Sequence, residues 1–328
     1  MMMDLELCRD ENLENITVEE TEPVVVRTHR LSSIMPIIVF SYLGVLIRLG
    51  LGFLGNTETP LNAAFWPNFI GSLFMGFIVE QKIHIQNHFA QLYIGLTTGL
   101  CGSITTFSGL MYNSCVALFG PSSHYIYPVS NYLVVMISAF AASFVGFLIG
   151  RHLSLFLFPT SQRTISRAQY INDHVRIWLF PLLVFISIPL IISLTILLPV
   201  GHYTYFIYSV LLAPFGSLTR YVLSIIFNKN PNKPLGTFLA NVLGSYLYFG
   251  LVAIQQYVHH LSLLDKQVIL SFIQGYCGCL TTVSTFLLEL NTIKKRKYVY
   301  FYFLFTVLPV QIVYIILGDI FHYICSPL

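Results

Sequence analysis

Residues 102–110 read GSITTFSGL, and residues 278–286 read GCLTTVSTF. Each sets a Thr-Thr-x-Ser motif just after a glycine, inside a long apolar segment. The motifs upstream repeat in the same order. Before the first stretch stand GVLIRLGLG at 44–52 and PNFIGSLFMG at 67–76. Before the second stand GSLTRYVLS at 216–224 and ANVLGSYLYFG at 240–250. The first pair places Arg48 and Arg220 four residues after a glycine, and the second pair shares Asn-x-x-Gly-Ser. Three matched motifs in one order define an internal duplication. The units span 33–150 and 205–321, with four apolar spans each, and the second domain runs on to residue 328.

Working outward, nine segments reach the roughly 20 apolar residues a membrane crossing needs. They lie near 33–54, 65–81, 90–118, 130–150, 177–199, 205–227, 235–257, 267–290 and 298–321. The third and eighth are interrupted by GLCGS at 99–103 and GYCGC at 275–279, which predicts broken helices. Four spans return the chain to its starting side, so the extra span within 151–204 sends the second unit in from the opposite side. The expected fold is an all-α integral membrane protein of nine transmembrane helices. Two inverted four-helix repeats are joined by a cytoplasmic loop and a linking helix. Inverted repeats place an ion path at the repeat interface, lined by broken helices.

Basic residues orient this arrangement. With residue 1 in the cytoplasm, fourteen of the seventeen lysines and arginines fall on the cytoplasmic side. Lys266 alone falls outside, and Arg48 and Arg220 lie within spans. This bias predicts a cytoplasmic N-terminus and an extracellular C-terminus. Residues 1–32 are acidic and polar, as expected of a disordered cytoplasmic tail.

Composition agrees. The chain is 55% hydrophobic and 9% charged, against about 25% charged in a soluble domain, so membrane lipid covers much of it. No basic stripe with interleaved aromatics is present, which excludes nucleic acid as a partner. The six cysteines form no disulfide or zinc pattern, and Cys277-x-Cys279 reads as helix packing. No HExxH, P-loop or GxSxG motif is present, so an enzyme is not expected.

Polar side chains inside spans must face a pore or a partner. Asn68, Gly71, Ser72 and Gly76 share one helix face, as do Asn241, Gly244, Ser245 and Tyr248. Small residues there pack helices, while the asparagines either glue helices or line a pore, the role favoured here. Arg48 and Arg220 read as structural ties. Thr106, Ser108, Thr282 and Ser284 either line a path or bond back to their own helices. Carbonyls freed at the glycine breaks need partners inside the protein, and a bound cation is one solution.

These residues resemble the small four-span fluoride channels often called Fluc, and their fused eukaryotic exporters. The resemblance rests on a Gly-x-x-x-Arg first helix, an Asn-x-x-Gly-Ser second helix and a Gly-x-Thr-Thr-Phe-Ser-Thr-Phe third helix. It covers nearly the whole chain apart from the tail and the region around 151–176. It implies a passive, fluoride-selective channel that exports fluoride across the plasma membrane. It places Asn68 and Asn241 at the pore, with Thr106, Ser108, Thr282, Ser284 and Thr285 beside them. It implies a structural sodium ion held by backbone carbonyls near Gly102, Ser103, Gly278 and Cys279. A weaker fourth-helix track would be Tyr132 and Ser138, with Tyr300 and Thr306. The family's phenylalanine pair falls at Phe107 and position 110, and at positions 283 and 286. Here the chain departs, with Leu110 and Val283. Pairing across units leaves Phe107 with Phe286 intact and Val283 with Leu110 degenerate, which implies one working pore. Fusion of both halves implies a functional monomer. An ion-coupled transporter of a small anion is the alternative, and a non-transporting membrane scaffold a third.

Overall fold

The computed structural model describes residues 33–55, 62–119, 127–158, 173–197, 201 and 204–320. The acidic tail, residues 159–172 and residues 321–328, with Cys325, lie outside the described set. Within it, every regular element is helical. The first repeat supplies α1 (Ile34–Gly52), α2 (Phe65–Glu80), α3 (Lys82–Ile94), α4 (Gly102–Ile104), α5 (Phe107–Phe119) and α6 (Pro128–Leu157). α7 (Asp173–Leu197) follows. The second repeat supplies α8 (Thr204–Phe227), α9 (Leu235–Tyr257), α10 (Leu263–Ser271), α11 (Gly278–Leu280), α12 (Ser284–Thr292) and α13 (Arg296–Ile320).

Among the described residues, seven helical stretches are long and apolar enough to cross a membrane: 34–52, 89–119, 128–157, 204–227, 235–257, 263–292 and 296–318. Two of the nine expected spans fall short of that measure. α2 has 16 residues, below the roughly 20 of a full crossing. Among the residues of α7 described with their side chains, the apolar stretch is Leu179–Ser193.

The third spans are broken as the glycines predicted, and the break is more elaborate than a single kink. Gly95–Cys101 and Phe272–Cys277 are wound as π-helices that run into the single turns α4 and α11. Wide turns of this kind recur at functional sites. The backbone then extends at Thr105 (φ −83°, ψ 151°) and Thr281 (φ −91°, ψ 148°) before α5 and α12 resume. β-branched threonine resists the helix at χ1, and each hydroxyl turns back onto a carbonyl four residues earlier, Cys101 at 3.1 Å and Cys277 at 3.0 Å.

Close packing of helices relies on glycine. A Cβ on Gly150 of α6 would strike the Leu73 carbonyl of α2, and one on Gly76 of α2 would strike the Phe147 carbonyl of α6. The two backbones touch where no side chain intervenes, the usual means of association in lipid. Gly150→Val is therefore expected to abolish the monodisperse folded peak in size-exclusion chromatography. Gly250→Val, at a position with nothing within 4 Å, should leave that peak unchanged.

Candidate ion pathway

Interrupting a helix frees backbone groups that must be paired inside the protein. At the first break the Thr106 N–H donates to Asn68 Oδ1 at 2.8 Å, and Asn68 Nδ2 donates to the Thr106 carbonyl at 3.1 Å. At the second, the Thr282 N–H donates to Asn241 Oδ1 at 2.8 Å, and Asn241 Nδ2 donates to the Thr282 carbonyl at 3.1 Å. Each amide thus mimics a neighbouring strand and holds the residue just after the extended threonine. Both asparagines are fully buried. An amide nitrogen carries two hydrogens, so each Nδ2 keeps one donor beyond this bracket.

The half-helices that follow are capped from the other repeat. Thr281 Oγ1 accepts the Ser108 N–H at 3.1 Å, and Thr105 Oγ1 accepts the Ser284 N–H at 3.2 Å. The hydroxyls interlock around these caps: Ser108 with Thr281 at 2.9 Å, and Thr105 with both Thr282 and Ser284 at 3.0 Å. Thr106 lies 3.3 Å from Thr281 and from Ser108. Thr285 N–H reaches Thr282 Oγ1 at 3.4 Å. The expected threonines and serines are therefore gathered into one buried seam that neither repeat could form alone.

Both buried arginines lie at the same seam. Arg220 donates from Nη1 to the Gly102 carbonyl at 2.9 Å and from Nη2 to the Thr98 carbonyl at 2.6 Å. Arg48 donates from Nη1 to the Ser103 carbonyl at 2.7 Å, and from Nη2 to the Gln274 carbonyl. Each guanidinium thus reaches across to the broken helix of the other repeat. Neither has a carboxylate partner among the described residues.

Main-chain carbonyls are the hard oxygen donors that suit a small monovalent cation. Gly102, Ser103, Gly278 and Cys279 are all buried, and the turns that carry them, α4 and α11, pack together. The carbonyls of Gly102 and Ser103 each accept one guanidinium bond and retain a second lone pair. This donor set fits sodium in kind.

Aromatic rings line one side of the seam. Phe107 of the first repeat meets Phe286 of the second edge-to-face, with centroids 5.8 Å apart. Phe140 and Phe303 close around them, at 6.4 Å from Phe107 and 5.9 Å from Phe286. Leu110 and Val283 are equally buried but present no ring edge. The fourth-helix track differs in register from expectation. Thr306 is buried, with its hydroxyl on the Tyr302 carbonyl at 2.8 Å, whereas Tyr300 is 69% exposed. Tyr132 is half-buried, and Ser138 bonds to the Val135 carbonyl at 3.2 Å. Tyr302, two positions along from Tyr300, faces inward, 5.1 Å from Phe286.

Glu289 was missed in the sequence. Its carboxylate accepts from Thr237 Oγ1 at 2.6 Å, Tyr302 Oη at 2.8 Å and Asn228 Nδ2 at 3.1 Å. A lone carboxylate inside an apolar span was the signal that could have found it.

The family model described as CrcB-like protein, Camphor Resistance (CrcB), matches twice, at residues 35–147 and 207–318. The Fluoride export protein 1 of Candida albicans is 31% identical over 283 residues, 76% of this chain and 70% of that protein. The Fluoride export protein 1 of Schizosaccharomyces pombe is 30% identical over 286 residues, 80% of this chain and 88% of that protein. The Fluoride-specific ion channel FluC 2 of Staphylococcus saprophyticus is 43% identical over 77 residues, 23% of this chain and 59% of that protein. No solved structure matches significantly. With the family's unit present twice and relatives named as fluoride exporters aligned along most of its length, the chain belongs to the CrcB-like family as a fused two-unit member.

Proposed function

We propose that this chain conducts fluoride passively out of the cytoplasm through a single pore at the seam between its repeats. The carrying observation is the Phe107–Phe286 contact, in which each repeat contributes one ring to a shared aromatic track. Ring edges carry partial positive charge and can face an anion. Ser108, Thr106, Thr282, Ser284 and Thr285 supply hydroxyl donors, and Asn68 and Asn241 supply their remaining amide hydrogens, in place of fluoride's water shell. The names of the relatives, fluoride export protein and fluoride-specific ion channel, support the same ion.

Nine crossings, with the repeats inverted, accommodate this path. The stack of Phe53, just past the end of α1, on Phe206 near the start of α8 at 5.6 Å supports an antiparallel course of the corresponding first helices. The N-terminus lies in the cytoplasm and the C-terminus outside, across the plasma membrane, and one chain suffices. Sodium, where bound, is held by the carbonyls of Gly102, Ser103, Gly278 and Cys279 and supplies fixed positive charge between the repeats. A negative cell interior drives fluoride out by about 2.3 kcal/mol per 100 mV.

Purified protein in liposomes, followed with a fluoride electrode, tests the proposal. Efflux driven by voltage alone, without a proton or sodium gradient, is expected. Efflux that requires such a gradient would instead establish a coupled transporter. Topology is checked separately by impermeant thiol labelling of intact cells, in which Cys325 should react before permeabilisation and Cys8 only after it.

A further inference from the structure

Six basic side chains crowd one end of the helix bundle. Lys294 and Lys295 lie on the short connection from α12 to α13, Arg296 and Lys297 open α13, and Lys229 and Lys233 lie on the connection from α8 to α9. All six are exposed. None has an ion-pair partner among the described residues, and Lys297 Nζ rests 5.4 Å from the Tyr298 ring centroid.

The α8–α9 connection is tied to α12 just beneath this rim. Asn228 Nδ2 donates to Glu289 Oε1 at 3.1 Å, and Asn228 Oδ1 accepts the Gly236 N–H at 2.6 Å. Glu289 accepts from Tyr302, which packs on Phe286, which meets Phe107. This chain of contacts leads from the aromatic pair to the end of the bundle that carries the rim. The depth of the rim is marked by α13, where Tyr300, Phe301 and Phe305 are exposed immediately beyond the basic run. Aromatics on a lipid-facing surface beside lysines and arginines mark the headgroup level.

A leaflet rich in anionic lipid repels anions, diluting a monovalent anion at its surface by about threefold. We infer that the proposed path opens at this basic rim, which lies among anionic headgroups and offsets their field there, so that fluoride arrives at close to its bulk concentration. The inference rests on the proposed conduction of fluoride. It assigns to these residues a task beyond orienting the chain, because unpaired charges at the end of an ion path set the local supply of the permeant ion.

Fluoride currents in planar bilayers test it, since each voltage polarity draws fluoride from one side only. The bilayers are phosphatidylcholine alone and an equal mixture with phosphatidylglycerol, at about 0.1 M salt. Because the potentials of rim and headgroups add, unmodified protein is expected to carry more rim-side current in the neutral bilayer than in the anionic one. The variant K294Q/K295Q/R296Q/K297Q should lose about threefold relative to it in both bilayers, in the rim-side polarity only, with recovery at about 1 M salt, where screening is complete within a few ångströms. The pair K229Q/K233Q, on the other connection, should shift current in the same direction. Rim-side currents of the variants equal to those of the unmodified protein in both bilayers would overturn the rim inference and leave conduction standing. Loss in neutral lipid, equal in both polarities, would also overturn it, because that pattern marks structural damage. Absence of fluoride current from unmodified protein in every bilayer would overturn the proposed function, and the inference with it.

Discussion

Fluoride efflux is expected to vanish in Phe107→Ile and in Phe286→Ile, and to survive in Leu110→Met and Val283→Ile. Phe107 and Phe286 meet edge-to-face at 5.8 Å inside a wall of rings that includes Phe140, Tyr302 and Phe303. Replacing either ring with an aliphatic side chain removes the polarised edges and leaves a dehydrated anion without a partner, which costs several kcal/mol for any buried charge. A barrier raised by even 3 kcal/mol slows flux by about two orders of magnitude. Leu110 and Val283 are buried to the same degree but carry no ring edge, so the changes remove no polarised group; Leu110→Met conserves volume at less than about 1.5 kcal/mol of stability, and Val283→Ile adds one methylene at roughly 1–3 kcal/mol. The measurement is initial efflux from liposomes, normalised to folded protein. Equal loss in both pairs would mean that all four residues only pack, and would end the single-pore proposal.

Arg220→Met is expected to cost most of the protein's thermal stability, with Arg220→Lys intermediate. The guanidinium is buried and donates to the carbonyls of Thr98 and Gly102, both on the broken helix of the other repeat. Methionine fills a similar length without a donor, which leaves two buried carbonyls unpaired at about 1–3 kcal/mol each. Lysine keeps the charge but lacks the planar fork that reaches both oxygens. Melting in detergent, followed by size-exclusion chromatography, would show it. An unchanged melting temperature in Arg220→Met would show that the clamp does not hold the repeats together.

Much of this arrangement was legible before any coordinates. The breaks follow from Gly102 and Gly278 standing before Thr-Thr pairs, because small and β-branched residues weaken a helix wherever they stand. Pairing Phe107 with Phe286 came from carrying the family's crossed pattern onto this chain, and the two rings are neighbours. Glu289 was passed over, because a single carboxylate among apolar residues has no periodicity to betray it. The weaker fourth-helix track of the second repeat included Tyr300, which is exposed, whereas Tyr302 faces inward. Two positions along a helix turn a side chain to nearly the opposite face, so an alignment error too small to notice in sequence reverses which residue meets lipid.

What the sequence by itself determined is the class of molecule: a lipid-covered, duplicated chain of apolar helices with two interrupted spans. Those properties follow from hydropathy and local backbone preference, which act within a few residues. Only the tertiary structure decided what the polar residues hold. Asn68 and Asn241 turn onto the backbone of Thr106 and Thr282, the hydroxyls of Thr105 and Thr281 cap the opposite repeat's half-helices, and Arg48 and Arg220 reach across the seam. In an interior without water a donor takes whichever acceptor packing brings within 3 Å, and those partners lie 38 to 226 residues away along the chain.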